Sequence, residues 1–156
     1  MINNDVLRSI RYLLDLSDSK VVAITQLAAA DFAINQADVQ AFLKKDDADG
    51  YAECSDLLLA HFLDGLVIHR RGPNPDQPPR AVLSRINNNV VLKKLRVAFE
   101  LKEADLHQIF DDAGFPVSKP ELSALFRQQD HRNFRPCGDQ LLRNFLKGLT
   151  LRVRGA

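Results

Sequence analysis

The chain repeats itself, and this duplication constrains its fold more than any other feature of the sequence. The segment that begins at Asn3 matches the segment that begins at Asn88 at an offset of 85 residues, and from residue 31 onward the offset is 83. Over residues 3–24 and 31–72, 7 of 22 and 13 of 42 aligned positions are identical, 20 of 64 in all. Because a repeat of this length is typical of one structural unit used twice, we expect two copies of one domain.

Each copy shows the apolar spacing of four helices. Apolar residues recur three and four positions apart from Val6 and again from Val91, and no segment alternates with the period of two that is typical of a strand. We expect N-caps of the first helices among residues 3–4 and 87–89, second helices over 18–29 and 103–113, third helices from Asn35 and Ser118, and fourth helices from residues 54–56 and 137–139. The predicted fold class is all-α, with eight helices in two homologous four-helix repeats and no sheet.

The repeat boundaries predict domains over residues 1–72 and 87–156. Between them, residues 73–86 contain four prolines within seven positions. Such a composition favours an extended and semi-rigid chain, so we interpret 73–86 as a linker. We further predict that the two repeats pack with approximate two-fold symmetry through the apolar faces of their first and fourth helices.

The fourth helix carries the motif that is most similar between the copies. It reads Cys-x-Asp-x-Leu-Leu-x-x-Phe-Leu-x-Gly-Leu from Cys54 and again from Cys137. A glycine inside a helix costs about 1 kcal/mol relative to alanine, so we expect a close helix crossing at each glycine. The aspartate of each motif stands in the first turn, where the helix dipole favours negative charge. The structural residues of the motif are Cys54, Asp56 and Gly65 in the first copy and Cys137, Asp139 and Gly148 in the second.

The whole pattern resembles a known family. Two copies of Asn-Asn-x-x-Leu-[Arg/Lys]-x-x-Arg, each followed by the fourth-helix motif and joined by the proline-rich segment, are similar to the YehS-like family of bacterial proteins. The resemblance covers essentially the full chain. It implies a cytoplasmic bacterial protein made of a duplicated helical domain of unassigned function, and it brings no established site residues with it.

The two cysteines are the first candidates for chemistry. Cys54 and Cys137 each stand at the predicted start of a helix, a position that can lower the pKa of a thiol and make it nucleophilic. However, no histidine recurs beside both of them, and free cysteine is among the most buried residue types. We therefore interpret both as small buried residues where the third and fourth helices meet, and we name no catalytic residue.

Composition and motifs argue against several other classes. Two cysteines 83 positions apart and scattered histidines do not make a zinc ligand set, and no glycine-rich phosphate loop precedes a helix. We predict no metal and no cofactor. With 156 residues and 46% apolar content, the chain can bury a core without disulfides. Because no apolar run approaches the roughly 18 residues of a membrane span and no leader pattern opens the chain, we expect a cytoplasmic protein.

Charge is distributed unequally along the chain. Residues 1–84 hold 8 basic and 12 acidic side chains, a net charge of −4, whereas residues 85–156 hold 13 and 8, a net charge of +5. A positive second repeat can attract phosphates or acidic protein surfaces; its cations can equally be solvated or paired with acids within the chain. The residues that we name as possible anion or nucleic-acid contacts are Arg85, Lys93, Lys94, Arg96, Arg127, Arg132 and Arg135.

Three functional classes stay open from the sequence. We predict a non-catalytic protein-interaction or regulatory module with an unknown protein partner, because a duplicated helical scaffold offers paired surfaces without visible chemistry. The alternative is a nucleic-acid-binding protein that uses the basic second repeat. The third class is an enzyme of unrecognised type.

Overall fold

A computed structural model describes residues 1–73 and 82–155, so positions 74–81 of the predicted linker lie outside the described residues. Within those ranges the chain forms eight helices and no strand, which confirms the all-α class. The helices are α1 (Asn3–Leu14), α2 (Asp18–Thr25), α3 (Gln36–Leu43), α4 (Asp56–Arg71), α5 (Asn88–Ala98), α6 (Glu103–Asp112), α7 (Lys119–Leu125) and α8 (Asp139–Arg154).

The helices belong to two compact units, Met1–Ile86 with α1–α4 and Asn87–Ala156 with α5–α8. In the first unit the most extensive helix contact joins α2 to α4, and in the second it joins α6 to α8. The apolar stripe of each fourth helix is buried, as its spacing predicts. The buried stripe residues are Leu58, Leu59, Phe62, Leu63 and Leu66 in α4, and Leu141, Leu142, Phe145, Leu146 and Leu149 in α8.

The motif glycines lie where these helices cross. A Cβ atom placed on Gly65 would stand 1.8 Å from the backbone oxygen of Ile24 in α2, and one placed on Gly148 would stand 2.0 Å from the backbone oxygen of Ile109 in α6. Atoms cannot approach so closely, so only glycine fits at either crossing. The structure confirms the close helix crossing that the sequence predicts at each glycine.

Several helix starts are capped as the sequence predicts. The backbone N–H of Asp38 donates to the Asn35 side chain at 2.9 Å, the N–H of Leu58 to Ser55 at 3.1 Å, and the N–H of Glu121 to the Ser118 hydroxyl at 3.3 Å. These bonds satisfy amides that have no partner inside the helix.

The prediction of asparagine N-caps is right for α5 and wrong for α1. Asn87 caps α5 by accepting the N–H of Val90 at 2.9 Å. At α1 the N-cap position belongs to Ile2, which has no side-chain cap. Asn3 and Asn4 lie inside the first turn because their side chains bond to distant parts of the first unit.

The predicted second helix over 18–29 is too long. Helix α2 ends at Thr25 and is followed by turns, although the three alanines at 28–30 favour helix. The side chain of Gln26 donates to the carbonyl of Phe32 at 3.1 Å, and Phe32 stacks on His61 with ring centroids 4.0 Å apart. These contacts hold the chain in a compact loop, and tertiary packing overrides local propensity. In the second unit α6 ends at Asp112, one residue before the predicted end.

Both first helices end on a residue in the left-handed conformation. Asp15 and Glu100 have φ values of 54° and 53°, and they are the only non-glycine residues with positive φ in the described ranges. The N–H of Leu16 donates to the Arg11 carbonyl at 2.9 Å, and the N–H of Leu101 donates to the Arg96 carbonyl at 3.0 Å. The C-terminal turn of α1 therefore recurs at α5, in an arrangement that usually uses glycine.

Candidate functional site

Asn4 joins the first helix of the first unit to the segment that precedes α4. It is 1% exposed, and its Nδ2 donates to the carbonyl oxygens of Phe42 at 3.0 Å and Ala52 at 2.9 Å. Its Oδ1 accepts the backbone N–H of Cys54 at 2.9 Å. One amide side chain thus satisfies three backbone groups from two other segments.

Asn89 makes the same three bonds in the second unit. Its Nδ2 donates to the carbonyl oxygens of Leu125 and Arg135, both at 3.0 Å, and its Oδ1 accepts the N–H of Cys137 at 2.8 Å. The partners lie 83 positions after those of Asn4, the offset of the repeat itself. The arrangement is therefore a property of the duplicated domain.

The preceding asparagine completes the arrangement in each unit. Asn3 donates from Nδ2 to the carbonyl of the motif cysteine at 3.0 Å and to Asp56 at 2.7 Å. Asn88 donates to the corresponding cysteine carbonyl at 3.0 Å and to Asp139 at 2.8 Å. Asp56 also accepts the N–H of Ile86 at 3.2 Å. We call the pairs Asn3–Asn4 and Asn88–Asn89 the asparagine clamps; the motif aspartates accept bonds from them.

Both motif cysteines are buried as free thiols. Burial raises the pKa of the Cys54 thiol to about 12 and that of the Cys137 thiol to about 11, since a desolvated thiolate is unfavourable. The position beside a helix N-terminus does not offset this effect. At neutral pH both side chains are protonated, and their backbones serve as partners of the asparagine clamps.

The loops that follow α3 and α7 share one backbone pattern. In the first unit the N–H of Ala48 donates to Lys45, that of Tyr51 to Ala48 and that of Ala52 to Ala41, at 3.0, 3.2 and 3.2 Å. The bonds at the matching positions of the second unit are His131 to Gln128, Phe134 to His131 and Arg135 to Ala124, at 2.9, 2.9 and 3.1 Å. The two loops therefore have the same scaffold.

These two loops carry opposite charge. Residues 44–53, which we call the acidic loop, hold two lysines and four carboxylates, a net charge of −2. Residues 127–136, which we call the basic loop, hold three arginines and one carboxylate, a net charge of +2 with His131 neutral. Nearly all of these charged side chains are exposed. The duplication has preserved the backbone of the loop and reversed its charge.

The structure places the seven cationic residues that the sequence singles out in different environments. Arg127 and Arg132 are exposed in the basic loop. Arg135 forms a short ion pair with Glu121 of α7, and this bond holds the pKa of the Glu121 carboxyl below its usual value. Arg85 belongs to the first unit, whereas the other six residues belong to the second. On α5, Lys93 is exposed and Lys94 is half-buried.

Arg96 of α5 lies beside an open cavity in the second unit. Its Nε donates to the carbonyl of Leu101 at 3.1 Å, and its Cζ stands 4.6 Å from the centre of the Phe126 ring. The cavity has a volume of about 260 Å³. The residues that line it are Arg96, Glu103, Leu122, Ser123, Phe126 and Arg127. The sequence indicates Glu103 as an acid near these cations, whereas it gives no sign of Ser123 and Phe126, which only helix packing brings beside Arg96.

A second cavity, of about 340 Å³, lies beside the clamp of the first unit. It is lined by Ile2, Asn3, Asn4, Glu53, Cys54, Ser55 and Asp56. The side chains of both asparagines bond to the protein, and the thiol is protonated at neutral pH. Among the residues that the structure describes, no group of three or more His, Cys, Asp or Glu side chains could hold a metal ion. No helix in the described ranges is long and apolar enough to cross a membrane.

The comparisons with known proteins agree with the duplicated architecture. The DUF1456 family, described as proteins of unknown function, matches residues 3–72 and again residues 88–155. The chain is 44% identical over 152 residues to the uncharacterized protein YehS of Escherichia coli (strain K12), a match that covers 97% of this chain and 96% of that protein. No solved structure is significantly similar to the chain. The resemblance inferred from the sequence is confirmed, and the chain belongs to the DUF1456 family, whose domain it carries twice.

Proposed function

We propose that this chain is a non-catalytic binding protein that engages an acidic protein partner through the basic loop. The observation that carries the proposal is the pair of loops with the same backbone hydrogen bonds and opposite net charge. A cationic surface accelerates encounter with an acidic one and discriminates against basic partners. The acidic loop of the first unit has the same backbone bonds but would repel an acidic partner, so only the basic loop would engage it.

Backbone groups of the basic loop form hydrogen bonds that hold it in place without the side chains of Arg127 and Arg132. Asn89 binds the Arg135 carbonyl, and the backbone N–H of Arg135 binds the Ala124 carbonyl. The exposed guanidinium groups of Arg127 and Arg132 are therefore not needed to shape the loop. Their charge is available to a partner because the fold does not use it.

The side chains of each unit that are most capable of chemistry are engaged in the fold itself. The Asn4 amide satisfies three backbone groups, and burial keeps the thiols of Cys54 and Cys137 protonated. A thiolate, not a thiol, is the nucleophile in cysteine chemistry. This use of the motif residues supports a binding role over a covalent catalytic one.

Affinity capture with charge-reversed variants tests the proposal. The full chain is immobilised, exposed to a bacterial lysate with and without nuclease treatment, and compared with the double variant Arg127→Glu/Arg132→Glu by quantitative mass spectrometry. The matched control is Arg143→Glu/Lys147→Glu, which reverses two exposed cations on α8 of the same unit. Circular dichroism verifies that all three chains are folded.

We expect proteins that are captured by the parent chain and the α8 control but lost from the loop variant. Their capture should weaken as salt rises, since exposed charges are screened. If nuclease treatment abolishes all loop-dependent capture, the nucleic-acid alternative replaces the protein partner. If capture by the loop variant equals that of the parent chain, the basic loop is not the contact surface.

A further inference from the structure

Arg96 is held rigidly with most of its donors unused. A guanidinium group has five N–H donors, and the one on Nε is taken by the Leu101 carbonyl at 3.1 Å. The Phe126 ring supports the group from one side, with the Cζ atom 4.6 Å from the ring centre. Among the described residues no hydrogen bond or ion pair of the two terminal nitrogens is found. Four donors are therefore available in a group whose orientation is already fixed.

The matching arginine of the first unit has a different environment. This residue, Arg11, pairs with Asp18 at the start of α2, with Nη2 3.3 Å from the carboxylate oxygen. The counterpart of Asp18 in the second unit is Glu103. Glu103 instead stands 3.8 Å from Nε2 of His107 on its own helix. Glu103 lines the cavity beside Arg96, but among the described residues no ion pair joins it to the arginine, so Arg96 is not neutralised as Arg11 is.

The cavity beside Arg96 has the lining of an anion site. It brings together two guanidinium-bearing residues, Arg96 and Arg127, and the hydroxyl-bearing Ser123, against the single acid Glu103. Lys93 lies one helical turn before Arg96 and is exposed, so it adds to the positive potential at this end of α5. The cavity volume of about 260 Å³ is below the range typical of drug-sized ligands.

We propose that this cavity binds a phosphate group. A planar guanidinium donates two parallel hydrogen bonds to a phosphate, and such charge-assisted bonds are stronger than neutral ones. Arg96 supplies the preorganised fork, Arg127 a second positive charge, and Ser123 a hydroxyl donor. The phosphate can belong to a small phosphate ester or to a nucleic-acid backbone. The inference shares Arg127 with the basic loop, but it does not require the protein partner proposed above, because it is tested on the purified chain alone.

Titration of the ¹⁵N-labelled full chain with inorganic phosphate tests this site by nuclear magnetic resonance. Sodium chloride at matched ionic strength serves as the reference titration. We expect saturable shifts at the backbone amides of Ser123 and Arg127 and at the Nε–H of Arg96. The change Arg127→Gln should weaken binding about tenfold, because a hydrogen bond to a charged group is worth at least that factor.

Three further variants distinguish a specific phosphate site from general electrostatic attraction. Arg143→Gln removes an exposed arginine of α8 that does not line the cavity, and it should leave the affinity within about twofold. Glu103→Gln removes the only carboxylate of the lining and should tighten binding severalfold. Arg96→Gln should abolish saturation; a melting curve shows whether that chain is folded, and Arg127→Gln and Glu103→Gln test the site in either case.

Titrations with two phosphate-containing ligands identify the source of the phosphate. A nucleoside monophosphate that binds more tightly than a single-stranded decanucleotide indicates a small phosphate ester, and the reverse order indicates a nucleic-acid backbone. Shifts that do not saturate, that chloride reproduces, or that Arg127→Gln and Arg143→Gln reduce equally would overturn the proposal. Such a failure leaves the capture experiment unaffected, because that experiment measures a protein bound to the loop.

Discussion

The side-chain oxygen of Asn4 accepts the backbone N–H of Cys54 at 2.9 Å, across 50 positions of sequence. Through this bond the first turn of α1 fixes the segment from which α4 begins, and α4 supplies much of the core of its unit. Asn89 and Cys137 repeat the bond at 2.8 Å. The motif cysteine thus serves the fold through its backbone as well as through its buried side chain.

Replacing Asn4 with alanine should lower the free energy of unfolding by about 3 kcal/mol, since it leaves one buried N–H and two carbonyl groups without their partner. Urea denaturation followed by circular dichroism measures the change. Asn3→Ala, at a half-buried residue, should cost less. A loss below about 1 kcal/mol for Asn4→Ala would show that water replaces the clamp at little cost.

Gly65→Ala and Gly148→Ala should each destabilise the protein by about 2 kcal/mol or more, although alanine is the better helix former. The added methyl group would overlap the backbone of Ile24 or Ile109, so the helices must separate. Gly138→Ala is the steric control, because no atom lies within 4 Å of its added Cβ; it should cost less than about 1 kcal/mol, the difference between glycine and alanine at the N-cap of α8. Thermal unfolding compares the three. Equal melting temperatures would contradict the close crossing.

Asp15→Gly should stabilise the protein by about 0.5–1 kcal/mol. Asp15 has a φ of 54°, a conformation that costs most residues about 1 kcal/mol and glycine almost nothing. The greater freedom of glycine in the unfolded chain offsets part of the gain. Chemical denaturation at constant pH measures the difference. A destabilised variant would show that the aspartate side chain contributes more than its backbone strain costs.

Stability should fall as the pH rises from about 9 toward 11. Above the ordinary thiol pKa of 9.0 the cysteines ionise in the unfolded chain, whereas burial keeps them protonated in the folded chain up to about pH 11 for Cys137 and about pH 12 for Cys54. The unfolded state then binds fewer protons, so raising the pH favours unfolding.

Denaturation of the parent chain and of Cys54→Ala at pH 8.5 and 10.5 measures this contribution. The variant should lose about 1–2 kcal/mol less than the parent between the two pH values. Cys137→Ala should behave in the same way. Equal losses in the parent and both variants would mean that the thiols ionise as freely in the folded protein as in the unfolded one.

Most of the fold is predictable from the sequence, because the repeat and the helical spacing of apolar residues are visible in the sequence itself. The apolar stripe from Leu58 to Leu66 predicts the buried face of α4, and the glycine within it predicts a close crossing. The early end of α2 was not predictable in this way. It depends on the stacking of Phe32 on His61, a contact between residues 29 positions apart that has no counterpart in the local pattern.

The asparagine clamps show a different limit of sequence reasoning. An asparagine near a helix start is typical of an N-cap, and for Asn87 that interpretation is correct. Asn4 and Asn89 instead bond to residues 36 to 50 positions away. The repetition of both asparagines predicts a structural role but not its partners. The cavity beside Arg96 likewise depends on where α5, α6 and α7 meet.

Capture of protein partners by chains with exchanged loops tests whether the basic loop is the contact surface. Residues 44–53 and 127–136 are exchanged in one chain, and in a second chain both positions carry the acidic sequence. Because the two loops share their backbone hydrogen bonds, we expect both chains to fold. If the basic loop binds the partner, the exchanged chain captures the same proteins as the parent and the doubly acidic chain captures none of them. Equal capture by the doubly acidic chain and the parent would show that the partner binds elsewhere.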